Sequence, residues 1–152
     1  MRPAALYDTL VIAGIGLIGG SIGLAARQRF LAKHVIGLDQ DPAMLEAALG
    51  VGAIDEAKLA PSDWLKKADL IVLATPVKTL VDLAKSLEPF LGKHTVLTDV
   101  GSVKHEVVEA LSHLRFVGGH PMAGSEKAGV QHSSAALLEN AVWVLTPNEN
   151  TD

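Results

Sequence analysis

The segment Leu10-Val11-Ile12-Ala13-Gly14-Ile15-Gly16-Leu17-Ile18-Gly19-Gly20-Ser21 sets three glycines, Gly14-x-Gly16-x-x-Gly19, between an apolar run and a helix-like stretch. A glycine triplet between a strand and a helix cradles the pyrophosphate of a dinucleotide. Gly14 suits the tight turn, Gly16 lets backbone approach the phosphates, and Gly19 lets the helix pack close on the strand. The loop residues Ile15, Leu17 and Ile18 present their backbone to the same ligand. The helix N-terminus adds unpaired N–H groups and a positive dipole end.

A second feature supports this reading. Residues 34–39, His-Val-Ile-Gly-Leu-Asp, read as a strand ending in an acid. Asp39 falls roughly twenty residues past the fingerprint, where a carboxylate accepts from a ribose diol. The ordinary alternative is a surface Asp capping the next helix. A carboxylate here favours NAD over NADP, because it repels a 2′-phosphate. Gln40 is not the arginine that would welcome that phosphate, and Arg27 and Arg29 on the preceding helix weaken the preference only slightly.

A length of 152 residues suits one domain. The net charge of −4 and the scattered lysines and arginines give no footprint for nucleic acid or an anionic membrane. The absence of cysteine excludes disulfides, thiolate metal sites and a cysteine nucleophile. No signal-peptide core and no run of about twenty apolar residues is present, so a cytoplasmic location is expected.

Along the chain, strand-like and helix-like segments alternate. Strands are expected at residues 10–13, 35–39, 70–74, 95–99, 116–118 and 142–146. Helices are expected at 20–29, 43–49 (capped by Asp41 and Pro42 and stopped by Gly50), 77–91 and 104–111. A short strand or turn is expected within 55–63. Apolar strands separated by helices indicate a parallel sheet covered on both faces. The expected class is therefore α/β, a doubly wound, mostly parallel sheet of the Rossmann type.

Three later loops sit at expected strand C-termini, where ligands bind in open α/β sheets. Thr75-Pro76-Val77 borders the cofactor on one reading and merely starts a helix on the other. In Thr98-Asp99-Val100-Gly101-Ser102-Val103-Lys104, spacing favours Ser102 as a helix cap over a hydroxyl facing the crevice. Lys104 reads more ordinarily as solvated than as a group meeting an acidic ligand. The third loop is Val117-Gly118-Gly119-His120-Pro121-Met122-Ala123-Gly124-Ser125-Glu126-Lys127-Ala128-Gly129. Of six histidines, only His120 sits in a glycine-flanked loop directly after an apolar strand. A histidine there can take a proton from a hydroxyl while hydride leaves the same carbon. His34 and His94 precede strands, His105 and His113 lie on helices, His132 follows a loop, and no histidine pair has metal-ligand spacing.

These motifs together resemble the prephenate/arogenate dehydrogenase family of tyrosine biosynthesis over nearly the whole chain. The carriers are residues 14–21, Ala74-Thr75-Pro76-Val77, residues 98–104 and, most specifically, Gly119-His120-Pro121-Met122-Ala123-Gly124-Ser125-Glu126. The resemblance implies NAD-dependent oxidative decarboxylation of prephenate to 4-hydroxyphenylpyruvate. It makes His120 the catalytic histidine and Ser102 the active-site serine orienting it, and it puts Ser125 and Glu126 near the substrate side chain. It also implies a second, helical domain that dimerises the protein and supplies cations for the substrate carboxylates. Residues 1–152 are then expected to be the NAD-binding domain, cut near its C-terminal end and poorly active alone. Arogenate dehydrogenase and a non-catalytic NAD-sensing module are the competing expectations.

Overall fold

In the computed structural model, which describes residues 3–124, 127–149 and 151, seven strands form one sheet. They are β1 (Tyr7–Ala13), β2 (Ala32–Leu38), β3 (Glu56–Lys58), β4 (Leu70–Leu73), β5 (Val96–Asp99), β6 (Phe116–Pro121) and β7 (Trp143–Thr146). Four helices connect them: α1 (Leu17–Gln28), α2 (Pro42–Val51), α3 (Val77–Leu87) and α4 (His105–Ala110). The spatial order is β3-β2-β1-β4-β5-β6-β7, parallel throughout except for the antiparallel pair β6–β7. The chain therefore winds outward from β1 in both directions.

Side-chain alternation explains why the strands are apolar on both faces. In β1, Leu10 and Ile12 enter one core with Val35, Leu45, Ala48 and Ala26. Val11 and Ala13 enter the other core with Leu73, Leu80, Ala84, Leu87 and Leu111. Helices α1 and α2 cover the first face, and α3 and α4 the second. In α3 the spacing predicts one stripe of Val77, Leu80, Val81, Ala84 and Leu87; Leu80, Ala84 and Leu87 are buried and Val77 and Val81 half-buried.

Several boundaries differ from the sequence reading. The second helix passes Gly50 and stops at Gly52, which takes the left-handed conformation (φ 81°) that a non-glycine cap disfavours. Residues 88–91 leave α3 for a 3-10 turn at Glu88–Phe90, because Pro89 cannot continue the α-helical hydrogen bonding. His34 lies inside β2 rather than before it, and His113 sits in a turn beyond α4 rather than on a helix.

The last strand departs most from a parallel expectation. After β6 the chain forms 3-10 turns at Val130–His132 and Ala135–Leu138 that pack on α1, beside the C-terminal edge of the sheet. It re-enters at that same edge, so β7 must run antiparallel to β6. Being outermost, β7 keeps Trp143, Val144 and Leu145 exposed.

Asp41 caps α2: its side chain accepts from the Ala43 N–H at 2.9 Å, with Pro42 at the first helical position. Asp41→Ala should cost about 1 kcal/mol, a Tm fall of about 2–4 °C in thermal unfolding for a domain of this size. An unchanged Tm would mean the cap adds nothing.

Candidate functional site

The C-terminal edge of the sheet lines up, in spatial order, Asp39 after β2, the glycine loop after β1, Thr75 after β4, Ser102 after β5 and His120 in β6. Strands lie about 4.8 Å apart, so β2 and β6, four steps apart, are separated by about 19 Å. An extended dinucleotide with a ring substrate beyond it bridges such a span.

Each fingerprint glycine answers a distinct spatial demand. Gly14 has φ +103°, and a Cβ there would stand 2.8 Å from the Ala74 carbonyl carbon and from the Thr75 backbone nitrogen. A Cβ on Gly19 would press on the Gly14 carbonyl oxygen and Ile12. Gly16, by contrast, has nothing within 4 Å in its Cβ direction. It caps α1 in extended conformation beside an open space, the shape a phosphate-bearing ligand requires.

Within this loop Ile15 is buried, while Leu17 and Ile18 are half-buried in the first turn of α1. The Ile15 backbone N–H donates to Asp39 Oδ2 at 2.9 Å, and Asp39 Oδ1 accepts from the Asp41 N–H at 2.9 Å. Asp39 is thus not the helix cap. Two peptide donors fix its carboxylate beside the glycine loop. Arg27 is committed elsewhere, to Asp55 at 2.9 Å and to the Gly52 carbonyl at 2.5 Å. His34 bonds Glu56 at 2.7 Å, and His34 and Lys58 together hold that carboxyl below its ordinary value, along the β2–β3 edge.

A cavity of about 600 Å³ opens beside Asp39, bordered by Gly14, Gln40, Thr75 and Pro76. Its far walls are Leu59-Ala60-Pro61 on one side and Thr79, Leu83 and Ser86 of α3 on the other. The sequence reading missed both walls. Their only signal was position, a loop after β3 facing an exposed helix stripe. Val77 is not among the lining residues; its side chain packs toward Gly101 instead. Pro76 precedes α3 as its N-cap rather than occupying the first helical position.

A clamp on α1 was also missed. The Ser133 hydroxyl donates to the carbonyls of Gly16 (3.3 Å) and Leu17 (3.1 Å), and the Ser134 N–H donates to Ser21 Oγ. A Cβ on Gly20 would strike Ser133 and Val130, so this second glycine admits the clamp.

Ser102 is exposed and does not cap α4, which begins at His105 with Lys104 in the cap position. The cap reading is corrected, because the turn spends two more residues before turning helical. His120 is not in a loop. It lies within β6, half-buried and paired with Val144 of β7, because the ladder with β7 extends the strand through Pro121. Lys104 is not solvated, since its ammonium pairs with Asp99, a carboxylate with no exposed surface. Ser125 and Glu126 lie outside the described residues. Among the described residues no cluster of His, Asp or Glu is arranged to hold a metal, and no helix is long and apolar enough to cross a membrane.

A strand, a glycine loop and a helix, with an anchored acid at the end of the next strand, define a dinucleotide-binding domain of the dehydrogenase type. A family profile described as "Prephenate dehydrogenase, nucleotide-binding domain" matches residues 22–152. The chain belongs to the prephenate dehydrogenase family. It is 42% identical to prephenate dehydrogenase of Bacillus subtilis over 97% of its own length and 41% of that protein's. It superimposes on prephenate dehydrogenase of Aquifex aeolicus, solved with hydroxyphenyl propionate and NAD+, at a TM-score of 0.89 and 36% identity, covering 95% of this chain and 52% of that one. Arogenate dehydrogenase of Synechocystis gives the same TM-score at 35% identity, covering 95% and 51%. The chain thus spans two fifths to one half of these relatives.

Proposed function

We propose that this chain is the NAD-binding half of a prephenate dehydrogenase and contributes His120 and Ser102 to oxidative decarboxylation of prephenate to 4-hydroxyphenylpyruvate. The observation that carries this reading is the alignment of Asp39, Gly16, Thr75, Ser102 and His120 along one sheet edge. The residues fit the cofactor. Gly16 leaves the phosphate space open, and the Asp39 carboxylate is oriented by two peptide donors yet keeps lone pairs for a ribose diol.

Bound there, NAD supplies the hydride acceptor. His120 hydrogen-bonds the ring hydroxyl and polarises its O–H as hydride leaves that carbon. Ser102 orients His120 and the substrate hydroxyl. Loss of carboxylate as carbon dioxide leaves its electron pair to the ring, which becomes aromatic, and the oxygen ends as a phenol. The protein's part is positioning and proton management. The resemblance assigns Ser125 and Glu126, outside the described residues, to binding of the substrate side chain. The full-length protein works in the cytoplasm as a homodimer, its second domain supplying the cations for the substrate carboxylates.

The test is a steady-state assay of the full-length protein with prephenate and arogenate, each with NAD and NADP. Highest kcat/KM with prephenate and NAD is expected. Higher kcat/KM with arogenate would make it an arogenate dehydrogenase, and NAD binding without turnover of either would make it a binding module. Asp39→Asn should narrow the preference for NAD over NADP by about tenfold, since a charged hydrogen bond is worth roughly 1.5–3 kcal/mol. An unchanged ratio removes Asp39 from cofactor choice.

A further inference from the structure

We propose that Asp99 is a positioning residue that sets Ser102 against His120, a role that rests on the reading of that pair given above. The β5–β6 ladder registers Leu97 with Phe116 and Thr98 with Val117, and goes no further. Just past that point the Asp99 side chain takes over from the sheet. Its Oδ2 accepts from the Gly101 N–H at 3.0 Å, and its Oδ1 accepts from the Gly119 N–H at 2.9 Å. Gly101 and Gly119 immediately precede Ser102 and His120. One carboxylate therefore anchors the backbone one residue before each member of the candidate pair, in the turn after β5 and in β6, while hydrogen-bonding neither side chain.

The geometry exceeds what a turn requires. A local Asx turn needs only the bond from Gly101 to Oδ2. The second oxygen reaches twenty residues along the chain. The charge is buried and so needs full satisfaction; Lys104 completes the set on Oδ2. The lysine stem reaches it across Gly118, where a Cβ would sit 3.2 Å from Lys104 Cδ. With three donors on a buried carboxylate, any displacement leaves a polar group unpaired, so the arrangement is stiff.

The test uses the full-length protein. Asp99→Asn combined with Lys104→Met removes both charges at nearly constant volume. It should lower kcat about 100-fold, the cost of roughly 1 Å of misplacement, while NAD Kd and prephenate KM stay within about threefold. Lys104→Met alone leaves the carboxylate and its two peptide donors, so it isolates the share of the ammonium and should lose less than about tenfold; if the double variant does not fold, Asp99→Asn alone decides the matter, since the Lys104 ammonium can turn to solvent, and should lower kcat about 100-fold. Wild-type kcat in the double variant overturns the proposal, as does a kcat loss matched by an equal loss of NAD affinity, which marks general loosening. A loss in Lys104→Met alone as large as that expected for the pair also overturns it, because the effect then belongs to the ammonium. His120→Asn is assayed in parallel. If its kcat is intact, the reading of the pair has failed. If its turnover collapses while the double variant's does not, only the role of Asp99 has failed.

Discussion

His120→Asn in the full-length protein should lower kcat by about 10²–10⁴-fold, the usual range for a lost general acid–base group. NAD affinity should hardly move, because His120 lies in β6, beyond β4 and β5 from the glycine loop. Asparagine retains hydrogen-bonding capacity at similar reach but cannot take up a proton near neutral pH, so the substitution isolates the proton function. The strand context makes this test clean. His120 is held in a ladder with Val144, and its neighbour Gly119 is anchored to Asp99, so the backbone should stay in place when the ring is lost. Kinetics and a separate NAD titration check it: an undiminished kcat removes His120 from the mechanism.

The second large effect separates two glycines that look alike in the sequence. Gly19→Ala forces a Cβ onto the Gly14 carbonyl and Ile12, where backbone must yield. Overpacking of this kind costs about 1–3 kcal/mol, a Tm fall of roughly 2–12 °C at this domain size. Gly16→Ala meets no protein atom. Its poorer N-cap and its stiffer unfolded chain nearly cancel, leaving stability within about 1 kcal/mol. The methyl group instead enters the space left for the pyrophosphate, so NAD Kd should rise at least about tenfold, or 1.4 kcal/mol. Thermal unfolding and NAD titration of both variants check this. Wild-type NAD affinity in Gly16→Ala would mean that the open space beside Gly16 is not where the phosphates bind.

Much of this was legible because local chemistry and tertiary structure agree. The glycine spacing after an apolar strand, the Asp41-Pro42 cap and the stripe Leu80, Ala84, Leu87 each follow from backbone rules within a few residues. Boundaries were less legible, because they turn on single residues, such as Gly52 rather than Gly50 at the end of α2 and Pro89 after α3. His120 was singled out from its glycine neighbours, but its setting was misplaced. Only pairing with β7, more than twenty residues on, makes it part of a strand. The Ser133 clamp and the Leu59-Ala60-Pro61 wall left no pattern in the sequence, since each depends on which distant segment happens to face it.

Short segments of the sequence were enough to read the alternation of strands and helices, the dinucleotide cradle and the candidate residues for the chemistry. The tertiary structure alone decided how those residues meet. It turned β7 antiparallel, withdrew Lys104 from solvent and made Asp99 a bridge between two strands. The reason is physical: a buried charge must find its donors wherever the packed chain brings them, and that search spans the whole fold rather than any one segment.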